Sequence, residues 1–436
     1  FFQFNPLLPA VAVGAVETRH IVYPFRDMAR HRHVRFIKNK AIGIDLERRE
    51  VRLHNDLVFG YDALVIAVGS VTNYYGVPGA EQNTRPFKTV VDAMTLRARL
   101  VELFEMAEQA ESPEQRRRLL SFAIVGGGVT GVEVAAEITD MVRDTLLPRY
   151  PSLRAEDFSI TMLEGGPRIV SNALPDHSAY VHRYLTRRGV TIRLNARAEG
   201  VESRLVWLPG GERLEAFTIL WTAGVQPPAL VRDLPLQHER DGRVRVDEWL
   251  RALRPDGTAV PSLYVIGDSA ASRRADGRLQ PALAPTAIAM GTHVGRQLVA
   301  AATGASVPPF RFYDAGYIIS LGKHSSVLEL FGFKLSGKLA WLAWAAAYLV
   351  KMVGFRKQLE VGIDHLTHLF FTHDSSQILN RRSVLSDDEL NLSLRPAGTT
   401  GREDPAERPG TRAAMAGPGG EREASQVGFG TRSGSA

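Results

Sequence analysis

The chain has 436 residues, 44% hydrophobic and 23% charged, ordinary values for a globular protein with room for two or three domains. Its 53 basic and 47 acidic residues leave a net charge of +6, too dilute for nucleic-acid binding unless clustered. The absence of cysteine excludes disulfides, thiolate metal sites and any thiol redox relay.

In chain order, residues 1–15 (Phe-Phe-Gln-Phe-Asn-Pro-Leu-Leu-Pro at the start) are apolar and proline-broken, which predicts an irregular segment packed on a core. The sequence begins at Phe1 rather than Met, in mid-pattern, as expected of a fragment. Ile21, Phe25 and Met28 fall at i, i+4, i+7 and predict a short helix over 21–30, followed by a strand over 34–37. Residues 42–46, 50–53 and 57–59 alternate as a β-meander. Residues 62–69 (Asp-Ala-Leu-Val-Ile-Ala-Val-Gly) predict a buried strand running into Gly69, and 90–111 a helix closed by Ser112-Pro113.

The stretch over 121–133 carries the strongest signal. An apolar run, Phe122 to Val125, predicts a buried parallel strand, and Gly126-x-Gly128-x-x-Gly131 opens a helix directly after it. Gly126 permits the tight turn, Gly128 lets a pyrophosphate approach the backbone, and Gly131 lets the helix pack on the strand. Residues 158–163 predict the second strand, with Glu164 at its carboxyl end. A carboxylate there accepts hydrogen bonds from a ribose diol and repels a 2′-phosphate, favouring NADH over NADPH. Gly131 and Glu164 are 33 residues apart against about 20 in the compact motif, so 144–157 reads as an insertion. Glu164 starting a plain polar turn is the competing reading.

Further elements are a helix over 179–188, a strand over 190–194, a meander near 201–214, and a strand over 217–224 ending in Ala223-Gly224. Val244–Val246 and the strand over 263–268, ending Gly267-Asp268, follow, and a helix over 282–302 begins near Pro285 and Thr286. In such folds a carboxylate after a strand and glycine binds a ribityl or ribose hydroxyl; for Asp268 an ordinary turn aspartate is the alternative. The pattern is α/β, with two interleaved Rossmann-like domains. The run over 337–350 is the most hydrophobic, with Trp341, Trp344, Tyr348 and Phe355 read as one aromatic stripe flanked by Lys334, Lys338, Lys351, Arg356 and Lys357. No stretch reaches the ~18 apolar residues of a spanning helix, but this one suits a helix lying in the headgroup layer of an anionic membrane. A helix packed into the core is the alternative. Leu366, Leu369 and Phe370 would extend the apolar surface on a second helix; His365, His368 and His373 lack the acidic partners of a metal site, and none is assigned. From about Leu392 the composition turns to Gly, Pro, Ser, Thr, Arg and Glu, and 385–436 reads as a disordered tail.

Several separated motifs then agree: Phe4-x-Pro6-Leu7-Leu8-Pro9, Ala67-Val-Gly69, Gly126 to Glu133, Trp221-Thr-Ala-Gly224, Val265-Ile-Gly267-Asp268 and Gly354-Phe355-Arg356. In this order they resemble the type II NADH:quinone oxidoreductases, flavoproteins with two dinucleotide-binding domains, over roughly residues 1–380. The resemblance implies an FAD-binding domain (1–115 and 255–335), an NADH-binding domain (116–254) and C-terminal membrane-associated helices (336–384). The family's first glycine motif, which cradles the FAD pyrophosphate, has no counterpart here. The resemblance implies that Asp268 binds the ribityl chain with Gly267 allowing the approach. Ala67 and Gly69 would lie against FAD, and Pro285, Thr286 and Ala287 would set a helix start beside the flavin pyrimidine edge, where positive amide ends favour the reduced, anionic ring. Gly126, Gly128, Gly131 and Glu164 would bind NADH, with Ala223 and Gly224 alongside. Glu133 and Glu137 would sit near the nicotinamide and flavin, although a solvated helix edge remains the alternative for both. One departure stands out. The family usually has Gln after this Thr-Ala, contacting the quinone headgroup; here Ile288 stands in its place. The implied function is a non-proton-pumping transfer of electrons from NADH through FAD to a membrane quinone, on the cytoplasmic face, peripherally bound, with a homodimer left open. A soluble acceptor, suggested by Ile288, and a non-catalytic NADH-binding module are the other readings.

Overall fold

The computed structural model describes residues 1–30, 33–274, 276–352 and 354–370, with Val384, Leu385 and Glu389. The tail over 385–436, apart from Leu385 and Glu389, lies outside the described residues, as does His373; so do the side chains of His368, Leu369 and Phe370.

The opening segment differs from the irregular run expected. Phe2–Gln3 pairs antiparallel with Val22–Tyr23, and helix α1, Leu8–Ala12, is buried along its whole length. Pro9 falls in its first turn, where a missing N–H costs nothing, so the proline starts the helix rather than breaking it. The helix expected over 21–30 is shorter, α2 at Phe25–Ala29, because the residue before Pro24 is held extended. No strand forms over 34–37. Phe36 instead stacks on Phe25 at 5.6 Å.

The meander is present as β1 (Ala41–Asp45), β2 (Glu50–Leu53) and β3 (Val58–Gly60). Strand β4, Leu64–Ile66, is shorter than expected, and Ala67 and Val68 after it are exposed. Strand β5 (Val71–Thr72), helix α3 (Ala80–Asn83) and strand β6 (Arg85–Pro86) lead to α4, Val90–Glu108, whose Thr89 and Asp92 form a capping box. Ser112-Pro113 ends α4 as expected and also starts a new helix, α5 (Pro113–Leu119), with Ser112 as its N-cap.

Strand β7 (Ser121–Val125) is followed by α6 (Val129–Met141), β8 (Ser159–Leu163), α7 (Pro175–Arg187) and β9 (Val190–Arg193). A small antiparallel sheet, β10 (Gly200–Glu202), β11 (Leu205–Leu208) and β12 (Glu212–Glu215), precedes β13 (Thr218–Trp221) and β14 (Val225–Gln226). The central sheet runs β9-β8-β7-β13-β6, all parallel, with Val125, Leu163 and Trp221 ending at one level. Chain order reverses between β7 and β13, and such a switch point opens a crevice beyond the strand ends.

The second sheet consists of β15 (Arg251–Leu253), β16 (Ala259–Val265) and β4, with β16 and β4 parallel. Between the two sheets in sequence lies α8 (Ala229–Arg232), and after β16 comes α9 (Ala284–Thr303), stopped by Gly304 at φ 73°. A third sheet, β17 (Gly316–Ser320), β18 (Ser326–Leu330) and β19 (Phe333–Gly337), feeds α10 (Lys338–Lys351) and α11 (Phe355–Phe370). None of the described helices is long and apolar enough to cross a membrane.

The aromatic stripe is corrected here. Trp341 and Trp344 are buried in the main core, Tyr348 packs beside them, and Tyr348 meets Phe4 edge-on at 5.8 Å. Phe355 belongs to the next helix and is exposed. Helix α10 is apolar all round, so spacing alone could not say which face turns inward; Trp341 meets His324 between β17 and β18, Trp344 meets His365 on α11, and Tyr348 meets Phe4.

Candidate active site

The crevice at the sheet switch point is built from glycines. Gly126 has φ 111°, and a Cβ there would stand 2.6 Å from the Ala223 backbone. A side chain on Gly131 would overlap the Gly126 carbonyl oxygen, so the helix can sit this close only without one. Gly128, by contrast, faces open space and is the N-cap of α6, whose first turn no side chain caps. An anion placed there meets free backbone N–H groups and the positive end of the helix. Glu164 leaves β8 toward this loop: its Oε2 accepts from Gly127 N at 2.9 Å and its Oε1 from Gly166 N at 2.7 Å. The carboxylate therefore braces the loop and keeps a negative charge at the mouth. Ala223 and Gly224 close the other wall, with Asn73 N donating to Gly224 O at 2.9 Å.

A second cluster gathers at the carboxyl ends of β4 and β16. Ser269 Oγ donates to Gly69 O at 2.6 Å, and Ser70 Oγ to Asp268 Oδ2 at 2.6 Å. Lys88 Nζ donates to Ser70 Oγ at 2.9 Å and stands 3.7 Å from the same Asp268 oxygen. Gly267, at φ 66°, would put a Cβ 3.5 Å from Ala287, so the start of α9 lies against this turn. Pro285 occupies the first turn of α9, Leu283 offers it no side-chain cap, and Thr286 Oγ1 is buried without a partner. An orphaned hydroxyl, free amides and an anchored carboxylate fit the polar riboflavin half of FAD. Ile288 is 67% exposed on the outer face of α9, beside Thr292. Thus Ala67, Gly69, Gly267, Asp268, Pro285, Thr286 and Ala287 come together. The β5–β14 pairing joins this group to the Ala223–Gly224 wall.

Residues 1–291 match the pyridine nucleotide-disulphide oxidoreductase family. The chain belongs to this family. Among known relatives, it is 29% identical over 386 residues to a probable NADH dehydrogenase of Dictyostelium discoideum, covering 86% of this chain and 83% of that protein. It is 29% identical over 368 residues to the type II NADH:quinone oxidoreductase Ndh of Mycobacterium tuberculosis, covering 82% and 78%. The solved structure of NDH2 from Plasmodium falciparum in complex with NADH aligns at a TM-score of 0.79 with 18% identity, covering 86% of this chain and 92% of that one. The fold is therefore that of two Rossmann-like nucleotide-binding domains, as expected from the motifs. The given sequence has no cysteine, so none of its residues can form a redox disulphide.

Glu133 and Glu137 are not solvated. Both lie buried on α6, and burial pushes each carboxyl up to about 8; Glu133 also raises Glu137, while Arg188 opposes that rise. Glu133 Oε1 accepts from Ser320 N on β17 at 3.0 Å. Sequence reasoning missed Asp140 and Arg188, which join the same row. Asp140 is fully buried, accepts from Lys323 N at 2.6 Å and forms an ion pair with Arg188. The available signal was the i, i+4, i+7 spacing of three acids on an otherwise apolar helix. His365 packs on Trp344 at 5.4 Å, inside the C-terminal helices.

Proposed function

We propose that this chain takes hydride from NADH, passes it to FAD, and delivers the electrons to a membrane quinone without moving protons across the membrane. The observation that carries the reading is the open glycine turn at Gly128 with the Glu164 carboxylate at its mouth, joined through β5 and β14 to the Asp268–Thr286 cluster. Bound FAD supplies the hydride acceptor. The side chains bind and orient. Gly126, Gly128 and Gly131 seat the NADH pyrophosphate, and Glu164 accepts from the adenosine ribose and rejects a 2′-phosphate. Asp268 anchors the ribityl chain, Gly267, Ala67 and Gly69 leave room for it, and the Pro285–Ala287 turn directs amide dipoles at the pyrimidine edge. Ala223 and Gly224 wall the nicotinamide side. Ile288 has no hydrogen bond to offer a quinone carbonyl, so the headgroup is held by apolar contact. We assign flavin binding to 1–115 and 255–335, NADH binding to 116–254, and membrane contact to 336–384.

The outward faces of α10 and α11 support that contact. Leu339, Leu342, Val350, Leu359, Ile363 and Leu366 are exposed, with Lys334, Lys338, Lys351 and Arg356 near them. Such a surface suits the headgroup layer of an anionic leaflet on the cytoplasmic side. The relatives' printed activities agree, NADH dehydrogenase and NADH:quinone oxidoreductase. The test is NADH oxidation by FAD-loaded protein with menaquinone and ubiquinone analogues, comparing wild type and Ile288→Gln. Reduction of ferricyanide but of no quinone by either form would replace the quinone with a soluble acceptor. Failure to sediment with anionic vesicles at low salt would remove the membrane.

A further inference from the structure

The row of acids on α6 has a geometry that NADH and FAD binding do not require. Glu133, Glu137 and Asp140 follow at i, i+4 and i+7, one buried face over two turns. The groups facing it come from several elements. Arg188 and Tyr184 come from α7 and its end, Lys323 and His324 from the turn between β17 and β18, Tyr348 from α10, and Asp144 from the π-helical turn Val142–Leu146 that continues α6. Among the described residues, Arg188 is the one cation in ion-pair contact with the row. Its guanidinium lies over the Tyr184 ring at 5.3 Å, and its side chain is a quarter exposed beside a fully buried Asp140. Arg188 is therefore the partly exposed end of an otherwise buried row. At the other end the row is closed: Glu133 meets β17, and the hydroxyls of the cross-strand pair Ser320 and Ser326 are buried without partners. Gly322, at φ 80°, is needed for the close approach, because a Cβ there would overlap Asp140 Oδ2.

We propose that Arg188 is the positioning residue of a proton relay along α6, running from solvent through Asp140 and Glu137 to Glu133. The proposal rests on the quinone-reducing function above. There NADH, one proton and a quinone become NAD⁺ and a quinol, so each turnover draws one proton from solvent. Arg188 holds Asp140 as the carboxylate that receives it, and its charge keeps Glu137 able to exchange. The paired acids hand the proton inward by deprotonating and reprotonating in turn: Glu133 gives it up to an oxygen of the reduced quinone, and the row ends each turnover as it began. Orphaned hydroxyls at the inner end can both accept and donate, as a relay requires.

The experiment uses the FAD-loaded full chain and two readouts. The first needs no turnover: infrared titration of the protonated carboxyl bands, with a wild-type midpoint near pH 8. Arg188→Met should move that midpoint up by about one unit, because an opposing positive charge is lost, and Arg188→Lys should restore it. Asp140→Asn should move it down, because a like charge is lost and Arg188 is freed to act on Glu137. A general loosening of the fold would not produce opposite signs. The second readout is stopped-flow flavin colour. Arg188→Met should slow quinone-driven reoxidation about tenfold more than NADH-driven reduction, with an enlarged solvent deuterium effect. Unchanged infrared midpoints in Arg188→Met and Asp140→Asn, or equal slowing of both phases, would overturn the relay. If Arg188→Met does not fold, Asp140→Asn decides it: a midpoint that falls supports the relay, and one that stays or rises overturns it. A wild type that reduces ferricyanide but no quinone defeats the functional reading instead, and the infrared shifts still report on Arg188.

Discussion

Glu389→Ala should destabilise the protein by about 3 kcal/mol. Arg99, on α4, is 1% exposed. It donates from Nε to Thr218 Oγ1 at 2.9 Å and from Nη2 to Phe217 O at 3.1 Å; these two partners belong to the central parallel sheet and its approach. Its remaining reach goes to the C-terminal segment: Val384 O at 3.0 Å and both carboxylate oxygens of Glu389, one at 3.1 Å and one closer. Arg85 also stands 3.6 Å from Glu389, and burial, with Arg99 beside it, lowers Arg85 to about 10. Removing the carboxylate leaves a buried guanidinium uncompensated with a like charge facing it. Breaking such a pair from one side costs about 3–5 kcal/mol, and the three surviving acceptors of Arg99 hold the loss to the lower end. Arg85 is partly exposed and adds little. With a urea m-value of about 3 kcal/mol/M, the midpoint should fall by about 1 M. The double variant Arg99→Met/Glu389→Leu should lie within about 1 kcal/mol of wild type, since the desolvation penalty leaves with the charges. A midpoint shift in Glu389→Ala below about 0.3 M, or a double variant as unstable as the single, would refute the reasoning.

Three further outcomes follow from the same structure. Glu164→Gln should keep the brace on Gly127, lose the repulsion of a 2′-phosphate, and lower the NADH/NADPH ratio of kcat/KM about tenfold or more, measured by steady-state kinetics with both coenzymes. Gly131→Val should force α6 away from the Gly126 carbonyl and weaken NADH binding about 100-fold by fluorescence titration, since displacements near 1 Å at a positioned site cost that much. Burial raises Glu137 from an unfolded value near 4.5 to about 8, so the folded state binds the extra proton between those values. Stability is then highest below about pH 4.5 for this group and is lost as pH rises toward 8; Glu137→Gln should therefore raise the Tm at pH 8.5 and leave it nearly unchanged at pH 5.

What could be read from the sequence was whatever a single local constraint dictates. Gly126, Gly128 and Gly131 declare themselves because backbone must approach backbone or phosphate there, and the structure puts Ala223, open space and the Gly126 carbonyl in those three places. Glu164, Gly267 and Asp268 are visible for the same reason, each standing where a buried strand ends. The face of α10 was not visible, because alanines surround its aromatics and the rings that meet them, Phe4, His324 and His365, come from three different parts of the chain. Arg99 was invisible as a site because its carboxylate lies 290 positions away.

Helix α6 contains both cases within four turns. Its glycine end obeys a steric rule that any helix packed on a phosphate loop must obey, so three residues suffice to identify it. Its acidic face obeys no local rule: Glu133 meets β17, and Asp140 meets Arg188 after α7 and Lys323 in a turn that follows another domain's worth of chain. Apolar residues at those three positions would have packed against the same neighbours at less cost in desolvation. That the chain carries carboxylates there, with one cation at the solvent end and unpartnered hydroxyls at the other, is a departure from good packing. Departures of that kind concentrate where a protein moves charge. On the functions proposed above, the same helix seats the electron donor at one end and, along its buried face, carries the proton that must accompany the electrons out.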